Sequence, residues 1–205
     1  MDSLRNRFKV VIVTGIPGVG KTTVLSLAVK KSTEKGLKVK VVNFGSFMLE
    51  TAIKEGLVNN RDEIRYLGMR KQLELQQMAA KKIVEESEKE LGEKDVLVVD
   101  THAIVKTPLG YLPGLPKHVL DELKPDIIAV VEANPNDVYS RQTRDKTRMR
   151  SDFGDVKDIE KLMNYAREAS FASAVHYASP VVIILNEENK IEEAADKITN
   201  ILLML

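Results

Sequence analysis

The 205-residue chain carries 31 Lys and Arg against 30 Asp and Glu, a formal charge of +1, with 43% hydrophobic and 30% charged residues. The length suits one well-buried domain, and the near-zero charge argues against a dedicated nucleic-acid binder. Absence of cysteine excludes a disulfide framework, a thiolate zinc site and a cysteine nucleophile; a cytoplasmic protein is the simplest fit.

The charged N-terminus runs into FKVVIVT (8 to 14), too short an apolar run for a secretory leader and read as the first strand. GIPGVGKT (15 to 22) follows and satisfies G-x-x-x-x-G-K-[ST] in full. It lies between a strand and a helix, the context that marks a phosphate-binding loop. Gly15, Gly18 and Gly20 let the backbone curl so that N–H groups converge on a phosphate. The helix predicted over 21 to 35, closed by Gly36, adds its N-terminal dipole. Lys21, read as an exposed loop cation, can reach the β- and γ-phosphates, and the Thr22 hydroxyl can ligate magnesium.

KVKVVNF (38 to 44) is the second strand. The segment NFGSFMLETAIKEGLVNNRDEIRYL (43 to 67) offers a Gly-Ser turn, an apolar helix face (Phe47, Met48, Ala52) and then Arg61 and Arg65. A planar base can lie on that wall while an arginine binds its phosphate; alternatively the apolar residues simply pack the helix. Residues 61 to 91 read as one long helix ending at Gly92. DVLVVD (95 to 100) is the third strand, and its terminal Asp100 is placed to hold magnesium through water. The Pro/Gly-dense KTPLGYLPGLPK (106 to 117) reads as a loop at a strand C-terminal end, where open α/β sheets bind ligands.

DIIAVVEA (126 to 133) and PVVIILN (180 to 186) complete five strands, with helices expected over 136 to 148, 156 to 178 and 190 to 204. Continuous Val/Ile/Leu runs mark strands covered on both faces, as in parallel sheets. Strand and helix in alternation predict an α/β domain. No apolar stretch approaches the length of a membrane span.

The fate of a γ-phosphate depends on the rest of the chain. Neither the Asn-Lys-x-Asp nor the Asp-x-x-Gly element of a GTPase occurs, and AAA-type ATPases are much larger. Small kinases remain, and they gather cations around the transferring group. SRQTRDKTRMRSD (140 to 152) supplies Arg141, Arg144, Arg148 and Arg150, the first three spaced for one side of a helix. Guanidinium groups can bind phosphate bidentately; a solvated basic helix face is the alternative.

TGIPGVGKTTV, the 43 to 67 segment, DTHAIVKTPLGYLPGLP, PDIIAVVEANP and RQTRDKTRMRSD together resemble the archaeal-type adenylate kinases, across essentially the whole chain. The resemblance implies magnesium-dependent ATP + AMP ⇌ 2 ADP, a single P-loop domain with a five-stranded parallel sheet in the order 2-3-1-4-5 flanked by helices, and a homotrimer. It implies ATP contacts at Gly15, Ile16, Pro17, Gly18, Val19, Gly20, Lys21, Thr22 and Thr23. AMP contacts are implied at Phe44, Gly45, Phe47, Met48, Arg65, Thr101 and His102, within an acceptor segment of about 43 to 92. Lys21, Arg141, Arg144, Arg148 and Arg150 become the catalytic cations, in a short lid of about 141 to 152 with no zinc. His102 is not assigned as an acid or base, because a phosphate acceptor is already ionised. Two alternatives stand beside this reading: a kinase for another monophosphate or an alcohol, with Asp100 recruited as base, and a regulatory or RNA-processing ATPase.

Overall fold

Alternate residues of the central strands feed two separate cores. The computed structural model describes residues 4–144 and 154–205. In chain order these form β1 (Lys9–Thr14), α1 (Lys21–Glu34), β2 (Val39–Asn43), α2 (Phe44–Lys54), α3 (Met69–Glu88), β3 (Val96–Asp100), β4 (Ile104–Thr107) and β5 (Gly110–Pro113). There follow α4 (Lys117–Leu123), β6 (Ile127–Glu132), α5 (Pro135–Arg144), α6 (Val156–Ala174), β7 (Val181–Leu185) and α7 (Ile191–Met204). Val11 and Val13 of β1, Val96 and Val98 of β3, and Ala129 and Val131 of β6 pack against α1 and α7. Their neighbours Val10, Ile12, Leu97, Val99, Ile128 and Val130 pack against α3 and α4. Side chains of a strand alternate between faces, so a run apolar at every position must be covered twice. Each such valine, leucine or isoleucine side chain contributes about 1.5–3 kcal/mol on burial.

The five long strands form one parallel sheet in the order β2-β3-β1-β6-β7. Counting those five alone, this is the expected 2-3-1-4-5. Asp100 stands in register with both Val13 and Asn43, so the ends of β1 and β3 deliver two loops, and the end of β2 the start of α2, to one edge of the sheet.

Local chemistry sets the helix ends. After α1, Gly36 takes φ +85°. The Leu37 N–H then reaches the Ser32 carbonyl at 3.1 Å and the Gly36 N–H the Thr33 carbonyl at 2.9 Å, a Schellman closure. α6 opens on a capping box between Asp155 and Asp158.

Three sequence expectations are corrected. Gly45 and Ser46 are not a turn but the first turn of α2, because the Asn43 side chain accepts from the Ser46 N–H and caps the helix. The long helix over 61 to 91 is broken: Arg61–Tyr66 is a 3₁₀ helix, and α3 begins after Gly68. The loop at 106 to 117 holds most of an antiparallel hairpin, β4 with β5.

Candidate active site

The glycine loop is held from outside by side chains. The Gly15 carbonyl accepts from His102 Nδ1 at 2.7 Å, the Pro17 carbonyl from Gln142 Nε2 at 2.7 Å and the Val19 carbonyl from Asn186 Nδ2 at 2.8 Å. Arg141 Nη1 approaches the Gly18 carbonyl at 3.5 Å. With its carbonyls turned outward to these donors, the loop is arranged to offer N–H groups to an anion. Gly20 sits at φ +84° as the N-cap of α1, with no side-chain cap. A Cβ there would strike the Asn186 amide. The first N–H groups of α1 therefore face an anion site rather than a capping side chain.

Lys21 opens α1, but it is not the exposed loop cation expected from the sequence: it is 8% exposed. Its ammonium donates to an Asp100 carboxylate oxygen and, at 2.9 Å, to the Thr101 carbonyl. The other Asp100 oxygen accepts from Asn43 Nδ2 at 3.0 Å. Burial pushes the ammonium below the ordinary lysine value, against the upward pull of Asp100. Thr22 and Thr23 are exposed on the first turn of α1.

Residues 100 to 103 are stitched to β1: the Thr101 N–H reaches the Val13 carbonyl at 3.0 Å, and the Ala103 N–H reaches Thr14 Oγ1 at 2.7 Å. Burial and the Lys21 charge hold the His102 imidazole down to about 4. It is neutral at pH 7, and because a carbonyl only accepts, Nδ1 carries the proton.

Beside Lys21 opens a cavity of about 410 Å³. Of the residues expected to contact an acceptor, Phe44, Gly45, Met48, Arg65, Thr101 and His102 line it. Phe47 does not: it packs against the core under α3, with the Lys82 ammonium 5.3 Å from its ring centre. Arg61 lines the cavity as well; its Nη2 lies 3.3 Å from Asn43 Oδ1. It crowds Gly45 so closely that a Cβ there would collide with the guanidinium.

Arg141 and Arg144 end α5, Arg141 half-buried over the glycine loop and Arg144 exposed. Arg148 and Arg150 lie outside the described residues.

Curated relatives share much of this sequence. The adenylate kinases of Saccharolobus islandicus (strain M.14.25) and Saccharolobus solfataricus are each 49% identical over 195 residues, covering 95% of this chain and 100% of theirs. That of Methanocaldococcus jannaschii is 43% identical over 194 residues, covering 95% and 98%. The chain belongs to the adenylate kinase family.

The AAA domain profile also matches, over residues 14–160. Size set aside the larger AAA-type ATPases; the match concerns the domain, which takes in the glycine loop. Among solved structures, a shikimate kinase from Bacteroides thetaiotaomicron superposes with a TM-score of 0.55 at 15% identity, over 95% of this chain and 98% of that one. At that identity the likeness shows the shared P-loop kinase fold alone. No helix among the described residues is long and apolar enough to cross a membrane.

For this adenylate kinase family member, motif reading passed over Asn43, Gln142, Asn186 and the two glutamines of α3 that line the cavity, Gln72 and Gln76. Asn43 alone had a local signal, a capping residue at the head of a helix. Gln76, Gln142 and Asn186 meet partners far along the chain, and Gln72 meets carbonyls of the preceding 3₁₀ segment and the residue after it.

Proposed function

We propose that the chain transfers the γ-phosphoryl group of ATP to AMP, reversibly, giving two ADP. An oxygen of the AMP phosphate attacks the γ-phosphorus, the bond to the bridging β-phosphate oxygen breaks, and ADP departs. No proton need be removed from the acceptor. The observation that carries the reading is the position of Lys21, which ends the glycine loop and lines the adjoining cavity.

In this reading residues 15 to 23 bind ATP, and Arg61 and Arg65 meet the acceptor phosphate beside Thr101 and His102. Arg141, Arg144, Arg148 and Arg150 gather at the transferring group. The whole chain acts as one domain, with an acceptor segment of about 43 to 92 and a short lid of about 141 to 152. Both Asp100 oxygens are engaged by Lys21 and Asn43, which speaks against recruiting that carboxylate as base for an alcohol acceptor.

Thr22 and Asp100 would hold magnesium, Asp100 through water. One hydroxyl and one carboxylate, hard oxygens with no soft ligand, suit that ion, which takes few protein ligands alongside phosphate. When bound, it neutralises charge on the β- and γ-oxygens. A cytoplasmic homotrimer completes the proposal. Exposed Phe171 and Val175 near the end of α6 offer apolar surface for a neighbouring copy, and sedimentation at working concentration measures the assembly.

ADP formation measured with AMP, GMP, CMP, UMP and simple alcohols tests the central claim. AMP should stimulate turnover most. Turnover indifferent to AMP rejects the reading.

A further inference from the structure

The carbonyls of the glycine loop are held at every second residue. Gly15, Pro17 and Val19 accept from His102, Gln142 and Asn186, which come from three separate parts of the chain. None of the described peptide bonds is cis. In a planar trans peptide the C=O and the N–H of the following residue point in opposite directions. The bond that fixes the Pro17 carbonyl therefore also aims the Gly18 N–H, and the bond that fixes the Val19 carbonyl aims the Gly20 N–H. Neither N–H meets an acceptor among the described residues. Each is left as a donor, pointing away from the side chain that holds its peptide.

The two amide side chains are themselves fixed. Gln142 is 8% exposed and Asn186 5%. Gln142 follows the fully buried Val138 by one turn of α5, and both press on Gly18: a Cβ there would stand 3.1 Å from a carbon of each. Asn186 follows β7, and its own N–H donates to the Glu132 carbonyl at the end of β6 at 2.8 Å. A loop free to turn its peptides over would have to be ordered by its ligand. A loop pinned from behind meets the ligand in place, and less ordering opposes binding.

We infer that Gln142 and Asn186 are positioning residues for the phosphoryl donor: by pinning the Pro17 and Val19 carbonyls they aim the Gly18 and Gly20 N–H groups at the phosphates of a nucleoside triphosphate. The inference rests on the donor site proposed above and names the residues outside the motif that shape its backbone.

Calorimetric titration with the magnesium complex of β,γ-imido-ATP, and separately with AMP, tests it. Gln142→Met and Asn186→Leu keep side-chain size and lose the amide donor. Each should weaken binding of the triphosphate about tenfold and leave that of AMP within about twofold. Amide resonances of isotope-labelled protein supply a residue-specific readout that a merely structural role would not move. In the unaltered protein the Gly18 and Gly20 amide protons should shift downfield on saturation with the analogue. In Gln142→Met the Gly18 shift should shrink and the Gly20 shift persist; in Asn186→Leu the reverse. Unchanged affinity for the analogue in a folded variant overturns the role of that residue, and equal losses for the analogue and AMP mean general loosening and overturn both roles. If neither variant folds, the unaltered protein still decides, because Gly18 and Gly20 amide protons that stay in place on saturation overturn the inference. A protein that passes these binding tests and forms no ADP from AMP supports the inference while rejecting the transfer reading, so the two failures are distinct.

Discussion

The ammonium of Lys21 and the carboxylate of Asp100, 79 residues apart, form an ion pair buried at the edge of the sheet. As an exposed charge, Lys21 could be removed at little cost to folding. As half of a buried pair it cannot, because Asp100 would keep its charge without a cation. Lys21→Ala should abolish phosphoryl transfer and lower unfolding free energy by about 3 kcal/mol. Lys21→Met combined with Asp100→Asn should lose clearly less than the sum of the two single changes. Urea unfolding of the unaltered protein, Lys21→Ala, the two single variants and the double variant checks the stability claims, ADP formation checks the loss of transfer, and additive losses would count against the pair.

Arg141 approaches the glycine loop from the last turn of α5. Arg141→Ala and Arg148→Ala should each reduce kcat by about a thousandfold or more, the scale of losing a phosphate-binding arginine, with little change in Tm. Steady-state rates with near-normal kcat would return either residue to a solvated basic face.

His102 links acidity to stability. Its folded value of about 4 lies below the ordinary 6.5, so between these values the unfolded chain takes up a proton that the folded chain refuses. The contribution is complete above about pH 6.5 and is lost as pH falls toward 4. It amounts to at most about 3 kcal/mol. His102→Asn keeps an N–H donor for the Gly15 carbonyl and cannot titrate. Its stability should fall less steeply than that of the unaltered protein from pH 7 to 4 in denaturant titrations. Parallel curves would refute this origin.

Gly45 separates folding from binding. It lies inside α2, where alanine is favoured over glycine by about 1 kcal/mol. Yet a Cβ there collides with the far end of the Arg61 side chain. Gly45→Ala should keep or slightly raise Tm and should raise the KM for AMP about tenfold, as expected when a charge-assisted contact is weakened. The KM for ATP should hold. Equal changes in both constants would mean that Arg61 does not serve the acceptor.

The parallel sheet was legible because each of its strands is a short apolar run bounded by polar or turn residues. The glycine motif was legible because it is complete within eight consecutive residues, 15 to 22, and needs no distant partner to be read. The hairpin of β4 and β5 was not legible. Its strands are four residues each, and the density of proline and glycine that marks their turn also hides their pairing. Gly45 shows the opposite error: glycine reads as punctuation there, although Asn43 has already started the helix. In the candidate site, motif residues such as Lys21 and Asp100 announce themselves by type and spacing. Gln76 and Asn186 do not, since a mid-helix glutamine and a strand-end asparagine acquire meaning only from the Pro113 and Val19 carbonyls that they meet.

Asn43 makes one demand on chemistry that few side chains can meet. Its oxygen receives the α2 backbone and Arg61, while its nitrogen gives to Asp100. Aspartate in its place would still cap the helix but would set one carboxylate against another. Serine would cap it and reach neither Arg61 nor Asp100 in the same way. Because one amide must be donor and acceptor at once, the usual interchange among helix-capping residues is closed at this position, and the start of a helix is tied to the charge balance of the catalytic edge.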